Sequence, residues 1–362
     1  MTTTHPIAPH IVRAAGAADF LSMVPHLVGC RPRDSVVLVP FGGSRSQGGM
    51  RIDLPPEGLS PDECSELAAA VLGSFARLPL ADRVAVVVYT EDAFRGPEGR
   101  IARAGFVDAL LRCIDAAEYG LVDALCVASD GWGSYIEPDA PYAARPLDDI
   151  AAERVAWPGS GEPLADQHAG AELPPSDLVE RERVGQWLRE NRLAPTSPVF
   201  PEMIESFVLD DPELLDAEDL AQLIQLLDLP LSRDMALTQW AGDLAEGRAI
   251  WAWQLAWSRG ERRPHEGALR LAGEGRRPDP ARLRTALALA KRAASAAPRA
   301  RRAGPLVAAA WLSWALGNST HAAHYVGLAR EVDPDHGLAG IVATMIANHH
   351  LPAWVYDRSS AA

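Results

Sequence analysis

Apolar positions in the N-terminal third of the chain switch between a helical and a strand period, and each switch marks an expected element boundary. Phe20, Leu21, Val24, Leu27 and Val28 recur at i, i+3 and i+4 spacing, which predicts a short amphipathic helix over Asp19 to Leu27, stopped by Gly29 and Pro32. Val36-Val37-Leu38-Val39 is a β-branched run and Met50 to Leu54 a second strand. The glycine and serine stretch Gly42 to Gly49 between them predicts a hairpin with a long tip. Ser60-Pro61-Asp62-Glu63 has the form of a capping box with proline at the first helical position, ahead of the stripe Leu67, Val71, Phe75 and Leu78. Arg83 to Thr90 is apolar at nearly every position, as a central strand covered on both faces should be. Phe106, Val107, Leu110, Leu111 and Ile114 outline another helix. Leu121 to Ala128 gives another strand, and Asp130-Gly131 turns the chain into Trp132 to Ile136. The order is αββαβαββ, and the strands and helices from Met50 to Val127 predict a mixed, mainly parallel sheet with right-handed crossovers, one α/β domain over residues 1–137.

From 138 to 175 proline, glycine and acidic residues sustain no period, so a linker is expected there. Residues 176–355 are expected to be all helical. Ser176 and Asp177 open one helix, Asp216 to Asp219 start one through Leu227, and Ser232 is expected to cap one through Trp240. Acidic residues at these first turns suit the helix dipole better than they suit catalysis. Ala286, Ala293 and Pro298 recur 36 residues later as Ala322, Ala329 and Pro334, a period similar to the second helix of a tetratricopeptide unit. Leu244 to Trp257, Arg282 to Ala297, Pro305 to Leu316, Thr320 to Val332 and Leu338 to Asn348 are accordingly expected to stack.

Composition narrows the class of protein. The chain has 362 residues, 48% hydrophobic and 23% charged, enough for two globular domains with ample core. Its longest apolar run, Pro305 to Leu316, is interrupted by Ser313 and falls short of the roughly 20 residues that span a bilayer. No apolar segment of signal-peptide form follows Met1, and Cys30, Cys64, Cys113 and Cys126 form no C-x-x-C pair, so a reduced, cytoplasmic protein is expected. Lys291 is the only lysine among 34 basic residues, a skew that points to codon supply.

The formal net charge of −14 argues against indiscriminate nucleic-acid binding. Charge is also segregated: residues 137–228 hold 21 acidic and 6 basic side chains, residues 259–302 hold 13 basic and 4 acidic. Two such segments either pair with each other or solvate separate faces; a docking surface for an acidic partner is the sharper alternative, with Arg276, Arg277, Arg299, Arg301 and Arg302 as the partner-binding candidates.

Chemistry-bearing motifs are few. Gly42 to Gly49 leads into a strand, whereas a phosphate-cradling loop leads into a helix N-terminus; no Gly-Lys pair exists, which excludes a Walker A sequence. H-E-x-x-H, G-x-S-x-G and a Cys-His signature are absent. His321 and His324 share a helix spacing, but with no added Cys or carboxylate at ligand spacing they are expected to be solvated; no metal or cofactor is expected. Trp251, Trp253, Trp257, Trp311 and Trp314 lie on apolar helix faces among Arg262, Arg263 and other arginines. That interleaving would suit single-stranded nucleic acid only if the rings were exposed, and core is the expected place for them.

Ligands of an open parallel sheet sit beyond the carboxyl ends of its strands, which gathers Asp53, Tyr89, Thr90, Glu91, Asp92, Ser129 and Asp130 at one crevice, with Arg31, Asp34, Ser35 and Arg51 from the hairpin side. Carboxylates beside arginines and hydroxyls there would bind a polar ligand or do acid-base work. Turns, strand exits and helix approaches account for the same residues. The leading expectation is a non-enzymatic interaction or regulatory module; the alternative is an enzyme or small-ligand receptor using the crevice.

The stretch Asp19 to Val37, with Phe20-Leu21-Ser22, Gly29-Cys30-Arg31-Pro32 and Asp34-Ser35 inside it, resembles the opening signature of the DUF4192 family, soluble and mostly actinobacterial proteins of unassigned function. Arg51 to Pro55, Val87 to Thr90, Asp130 to Tyr135, Arg233-Asp234 and the Trp-rich C-terminal helices extend the resemblance. Relatives often carry cysteines soon after the Ser-Tyr pair, whereas Ile136 to Pro146 has none, so no metal site carries over.

Overall fold

The computed structural model describes residues 13–78, 81–96, 99–137, 144–150, 162–262, 264 and 267–356. The chain divides into two compact units, Met1–Ala169 and Gly170–Ala362.

In the first unit, helix α1 (Ala17–Val28) ends at Gly29, whose φ of 79° is the left-handed stop that costs a residue without Cβ nothing. Strands β1 (Ser35–Gly42), β2 (Arg45–Ser46) and β3 (Met50–Asp53) follow. The expected long tip is a two-residue turn at Gly43 and Ser44: β2 pairs back onto Phe41 and Gly42, and after a break at residues 47–49 the chain resumes pairing as β3 along Ser35 to Leu38. Helix α2 (Pro61–Phe75) begins at the capping box, with Glu63 N–H donating to Ser60 Oγ at 3.3 Å and Ser60 N–H to Glu63 Oε2 at 2.8 Å. Strand β4 (Arg83–Tyr89), helix α3 (Ala104–Ala116) and strands β5 (Gly120–Ala128) and β6 (Gly131–Ser134) complete the described elements.

These strands form one sheet in the order β2-β1-β4-β5-β6, with β3 sharing the β2 side of β1. Only the β4–β5 pair is parallel; the pairs of β1 with β2, β3 and β4, and of β5 with β6, are antiparallel. The mainly parallel sheet expected from the sequence is thus corrected, and β2 adds a strand to the expected order. The α2 crossover does join strands of one direction, β3 and β4, but β1 lies between them, pairing antiparallel with β3 on one edge and with β4 on the other. β4 is interior, as its continuous apolar run implied. Alternate residues serve two cores: Val36, Leu38, Val84, Val86 and Val88 pack toward α2 and α3, while Val37, Val39, Ala85 and Val87 pack toward Leu21 and Val24 of α1.

The second unit is helical: α4 (Leu178–Glu190), α5 (Phe200–Leu209), α6 (Ala217–Asp228), α7 (Pro230–Ala241), α8 (Leu244–Ser258), α9 (Pro280–Ala296), α10 (Ala303–Ala315), α11 (Ser319–Val332), α12 (Gly337–Ala347) and the single turn α13 (Ala353–Tyr356). Asp177, Asp216 and Asp243 cap the N-termini of α4, α6 and α8 with their carboxylates. Ser232 does not cap α7, contrary to expectation. Pro230 takes the first helical position, and the Ser232 hydroxyl, one turn inside, donates to Leu226 O at 2.6 Å. Every residue of α10 is buried, the state of a helix apolar on all sides. It packs against α6, α7, α9, α11 and α12. From α9 to α12 each helix packs on the next.

Of the segment 138–175, residues 138–143 and 151–161 lie outside the described residues. Elsewhere in it, the backbones of Arg145 and Trp132 exchange hydrogen bonds of 2.8 and 3.0 Å, and Leu164 pairs with Gly29 and Arg31. In the second unit the carbonyls of Gly170, Ala171 and Pro174 accept from Lys291 Nζ, Tyr325 Oη and Ser295 Oγ at 2.8, 2.7 and 2.5 Å.

Candidate functional site

The row of residues across the end of the sheet comes together as the register requires: Ser35 opposes Asp53 on one side and Tyr89 on the other, and Tyr89 opposes Val127. Arg51 Nη1 donates to Ser35 Oγ at 2.9 Å and to Asp53 Oδ1 at 2.8 Å, with the guanidinium largely buried and Asp53 80% exposed. Asp34, at φ 37°, accepts Glu91 N–H on its carboxylate and Leu54 N–H on its carbonyl. Asp92 accepts from Thr90 Oγ1 at 2.8 Å and from Arg103 Nε at 3.0 Å, and Arg103 Nη1 also reaches Pro55 O, so one guanidinium clasps two loops. Asp130 accepts Phe94 N–H at 2.6 Å, and Ser129 donates through both N–H and Oγ to Asp92 O. Arg31 stays 61% exposed, 3.8 Å from Glu162. The carboxylates of Asp34, Asp53, Asp92 and Asp130 are thus all engaged with groups of the chain itself. The Tyr89 hydroxyl is the exception: it is buried with no hydrogen-bond partner among the described residues, and its pKa is raised by burial and by neighbouring Cys30. Burial also raises the Cys30 thiol, against the nearby charge of Arg51.

The basic and acidic segments of the second unit pair with each other. Arg282 forms a two-armed bridge to Glu205 at 2.7 and 3.0 Å, Arg292 another to Glu180 at 2.8 and 3.1 Å, and Arg301 meets Asp228. Burial opposes ionisation of Glu205, but hydrogen bonds from Arg282 and Gln239 hold its pKa below the ordinary value. Arg302 donates to Ala297 O at 3.1 Å and Arg299 to Glu331 O at 3.0 Å. Arg276, Arg277 and Arg299 remain exposed. Trp311 and Trp314 are fully buried and Trp251 nearly so, with indole N–H groups on the carbonyls of Leu271, His350 and Ser197. Trp257 is 45% exposed, with Arg262 stacked 4.0 Å from its ring centroid; Arg263 lies outside the described residues. His321 is buried and His324 exposed, so the pair divides between core and surface, and the expectation of solvation is corrected for His321.

A groove of about 920 Å³ opens on the second unit where the α6–α7 junction, the turn before α10, and the start of α12 meet. Apolar side chains line much of it: Leu271, Ala303, Leu338, Ile341 and Met345. Asp228, Asp234, Asp333 and Asp335 bring carboxylates to it. Arg233 is 6% exposed, and its Nε and Nη2 hold Asp234 Oδ1 at 3.0 and 2.8 Å while Nη1 lies 3.3 Å from His336 Nε2. His336 Nδ1 accepts Ala339 N–H at 3.4 Å, capping α12. Burial, and then the Arg233 charge, lower the His336 pKa; burial raises that of Asp234 against the pull of Arg233. The outcome is a neutralised cation at the base of the groove, with carboxylates above it.

The family model of a domain of unknown function, DUF4192, matches residues 18–353. The chain belongs to that family. The match runs from α1 into α13, so both units of this DUF4192 protein, the strand-end row and the groove all lie inside it. No curated protein and no solved structure matches the chain. Among the described residues of the DUF4192 chain, no helix is long and apolar enough to cross a membrane. Sequence reasoning met Arg233-Asp234 only as part of the family resemblance and passed over His336. The available signal was an adjacent Arg-Asp pair inside a helix whose other residues are nearly all buried.

Proposed function

We propose that this chain is a non-enzymatic interaction protein of the cytoplasm, and that its binding site is the groove on the helical unit. The observation that carries this reading is Ile341, 54% exposed on the groove wall beside Leu271, Leu338 and Met345. Exposed apolar surface framed by polar residues is the mark of a docking site. The packing of α9 to α12, each on the next, supports a tetratricopeptide-like scaffold for it, with the all-round burial of α10 as a departure from a one-dimensional stack. The four unpaired cysteines accord with a reducing compartment. Of the five arginines considered as a docking surface for an acidic partner, Arg301 is engaged by Asp228 and Arg302 by Ala297 O, and the exposed Arg276, Arg277 and Arg299 are left to serve that role.

The test is a photo-crosslinking amino acid placed at position 341 and, as a control, at position 214, where Leu214 is 79% exposed away from the groove lining. A protein crosslinked at 341 and not at 214 is then purified, and its affinity is expected to fall about ten-fold or more with Ile341→Glu. Equal crosslinking at both positions, or unchanged affinity, defeats the reading.

One observation supports a second reading, a small-ligand receptor at the strand-end row with Ser35, Arg51, Asp53 and Tyr89. The buried Tyr89 hydroxyl has no partner among the described residues, a state that costs about 1–3 kcal/mol and that a polar ligand would relieve. Thermal shift against nucleotides, sugars and carboxylates should then find a compound whose stabilisation rises with concentration and disappears in Tyr89→Phe. Silence across the panel removes this reading.

A further inference from the structure

We infer that the groove on the helical unit takes a polypeptide segment of a partner protein in which apolar side chains stand next to lysine or arginine. The inference deepens the proposed function and rests on the groove being the binding site.

Charge complementarity decides the sign. Two guanidiniums reach the groove carboxylates: that of Arg233 is 6% exposed and committed to Asp234, and that of Arg301, 41% exposed, is committed to Asp228, so the uncompensated ones among the described residues are those of Asp333 and Asp335. Asp234 uses only Oδ1 for that bridge, and its Oδ2 accepts from no other group among the described residues. Asp333 and Asp335 are both exposed on the turn between α11 and α12. Among the described residues, the hydrogen bond their carboxylates take is Asp335 N–H on Asp333 Oδ1, at 3.3 Å. Acceptors therefore outnumber donors around an apolar floor. A cation carried on an apolar backbone satisfies both, and an acidic segment meets like charge. The formal net charge of −14 adds long-range attraction for the same occupant.

Shape decides between a polypeptide and a small molecule. Small-ligand sites enclose most of their guest, about 70–90% of its surface. Here Ile341 is 54% exposed and Asp333 and Asp335 stand in solvent, so the floor is covered only by something that extends beyond the groove.

The experiment uses the full chain and three fluorescein-labelled peptides of equal length: one with leucine and lysine on an amphipathic helical pattern, one with glutamate in place of each lysine, and one with serine in place of each leucine. Anisotropy titration is expected to show the Leu/Lys peptide binding about ten-fold or more tightly than either of the others. Asp333→Asn with Asp335→Asn, which keeps the side-chain acceptors of the turn, should weaken Leu/Lys binding about ten-fold and flatten its dependence on salt. Asp62→Asn with Glu118→Gln removes the same formal charge from exposed positions of the first unit and should leave binding unchanged. Equal binding of the Glu peptide, equal binding of the Ser peptide, no binding at all, or equal effects of the two charge-removing variants each overturn the inference. Ile341→Ser separates the failures: if Leu/Lys binding ignores it, the groove is not the site; if the Glu peptide binds and Ile341→Ser abolishes that binding, the groove stands and its charge preference does not.

Discussion

Removing Arg233 strands the Asp234 carboxylate, with 28% of its side chain exposed, beside Leu271 and Leu338. Arg233→Met is therefore expected to lower the unfolding free energy by about 3 kcal/mol, the low end of the range for breaking a buried pair because Asp234 keeps some water. Arg233→Met with Asp234→Leu should cost less than the single change, since no orphaned charge is left. Urea unfolding with unchanged slope reads the difference. His336 gives a pH dependence whose sign follows from its lowered pKa. As pH falls below about 6.5 the unfolded chain takes up the proton first, so the folded state loses stability in that window and regains it above. His336→Asn keeps a cap on α12 and is expected to flatten the profile between about pH 7 and 5.5. A slope unchanged in the variant would assign the effect elsewhere.

Between elements, α10 comes close to the backbone at the end of α6. A Cβ built on Gly304 would lie 2.4 Å from Leu227 O and 2.8 Å from Asp228 Cα, both backbone atoms that cannot rotate away. Gly304→Ala should destabilise the helical unit by about 1–3 kcal/mol, the cost of overpacking, although alanine is the better helix former. Thermal unfolding that rises instead would mean that α6 and α10 separate freely. Elements set by their own sequence were legible: the capping box before α2, the glycine stop of α1, and the all-round apolar α10. At α7 the Pro230 signal was present and outweighed that of Ser232. Partner choice was not legible. Nothing near Met50 to Asp53 says that β1 will sit between β3 and β4, because strand pairing joins residues far apart in sequence. The strand-end row survived this error, since Asp53, Ser35 and Tyr89 share a register whether β3 lies beside β4 or across β1 from it. The groove was out of reach for a similar reason: residues 233, 271, 303, 336 and 341 meet only through the packing of separate helices.

Over the helical unit as a whole, α10 is the hub, and five helices lean on it. Trp311 is fully buried at its centre, donating to Leu271 O at 3.0 Å. Trp311→Ala should cost about 3–5 kcal/mol. Hydrogen exchange is expected to show that loss in α6, α7, α9, α11 and α12 together, because each loses the same support. Exchange that quickens only in α10 would mean that the unit is a set of separable hairpins. In the sheet of the first unit, the side of β1 away from β4 is divided between β2 and β3 by residues 47–49. Gly48 there is at φ 102°, and a Cβ on Gly49 would lie 2.6 Å from Val28 Cγ1 of α1. A continuous strand at that rim would offer an unbroken ladder to any neighbouring copy. Two short strands with a kink between them offer only fragments, so this interruption guards the chain against polymerising through its own sheet.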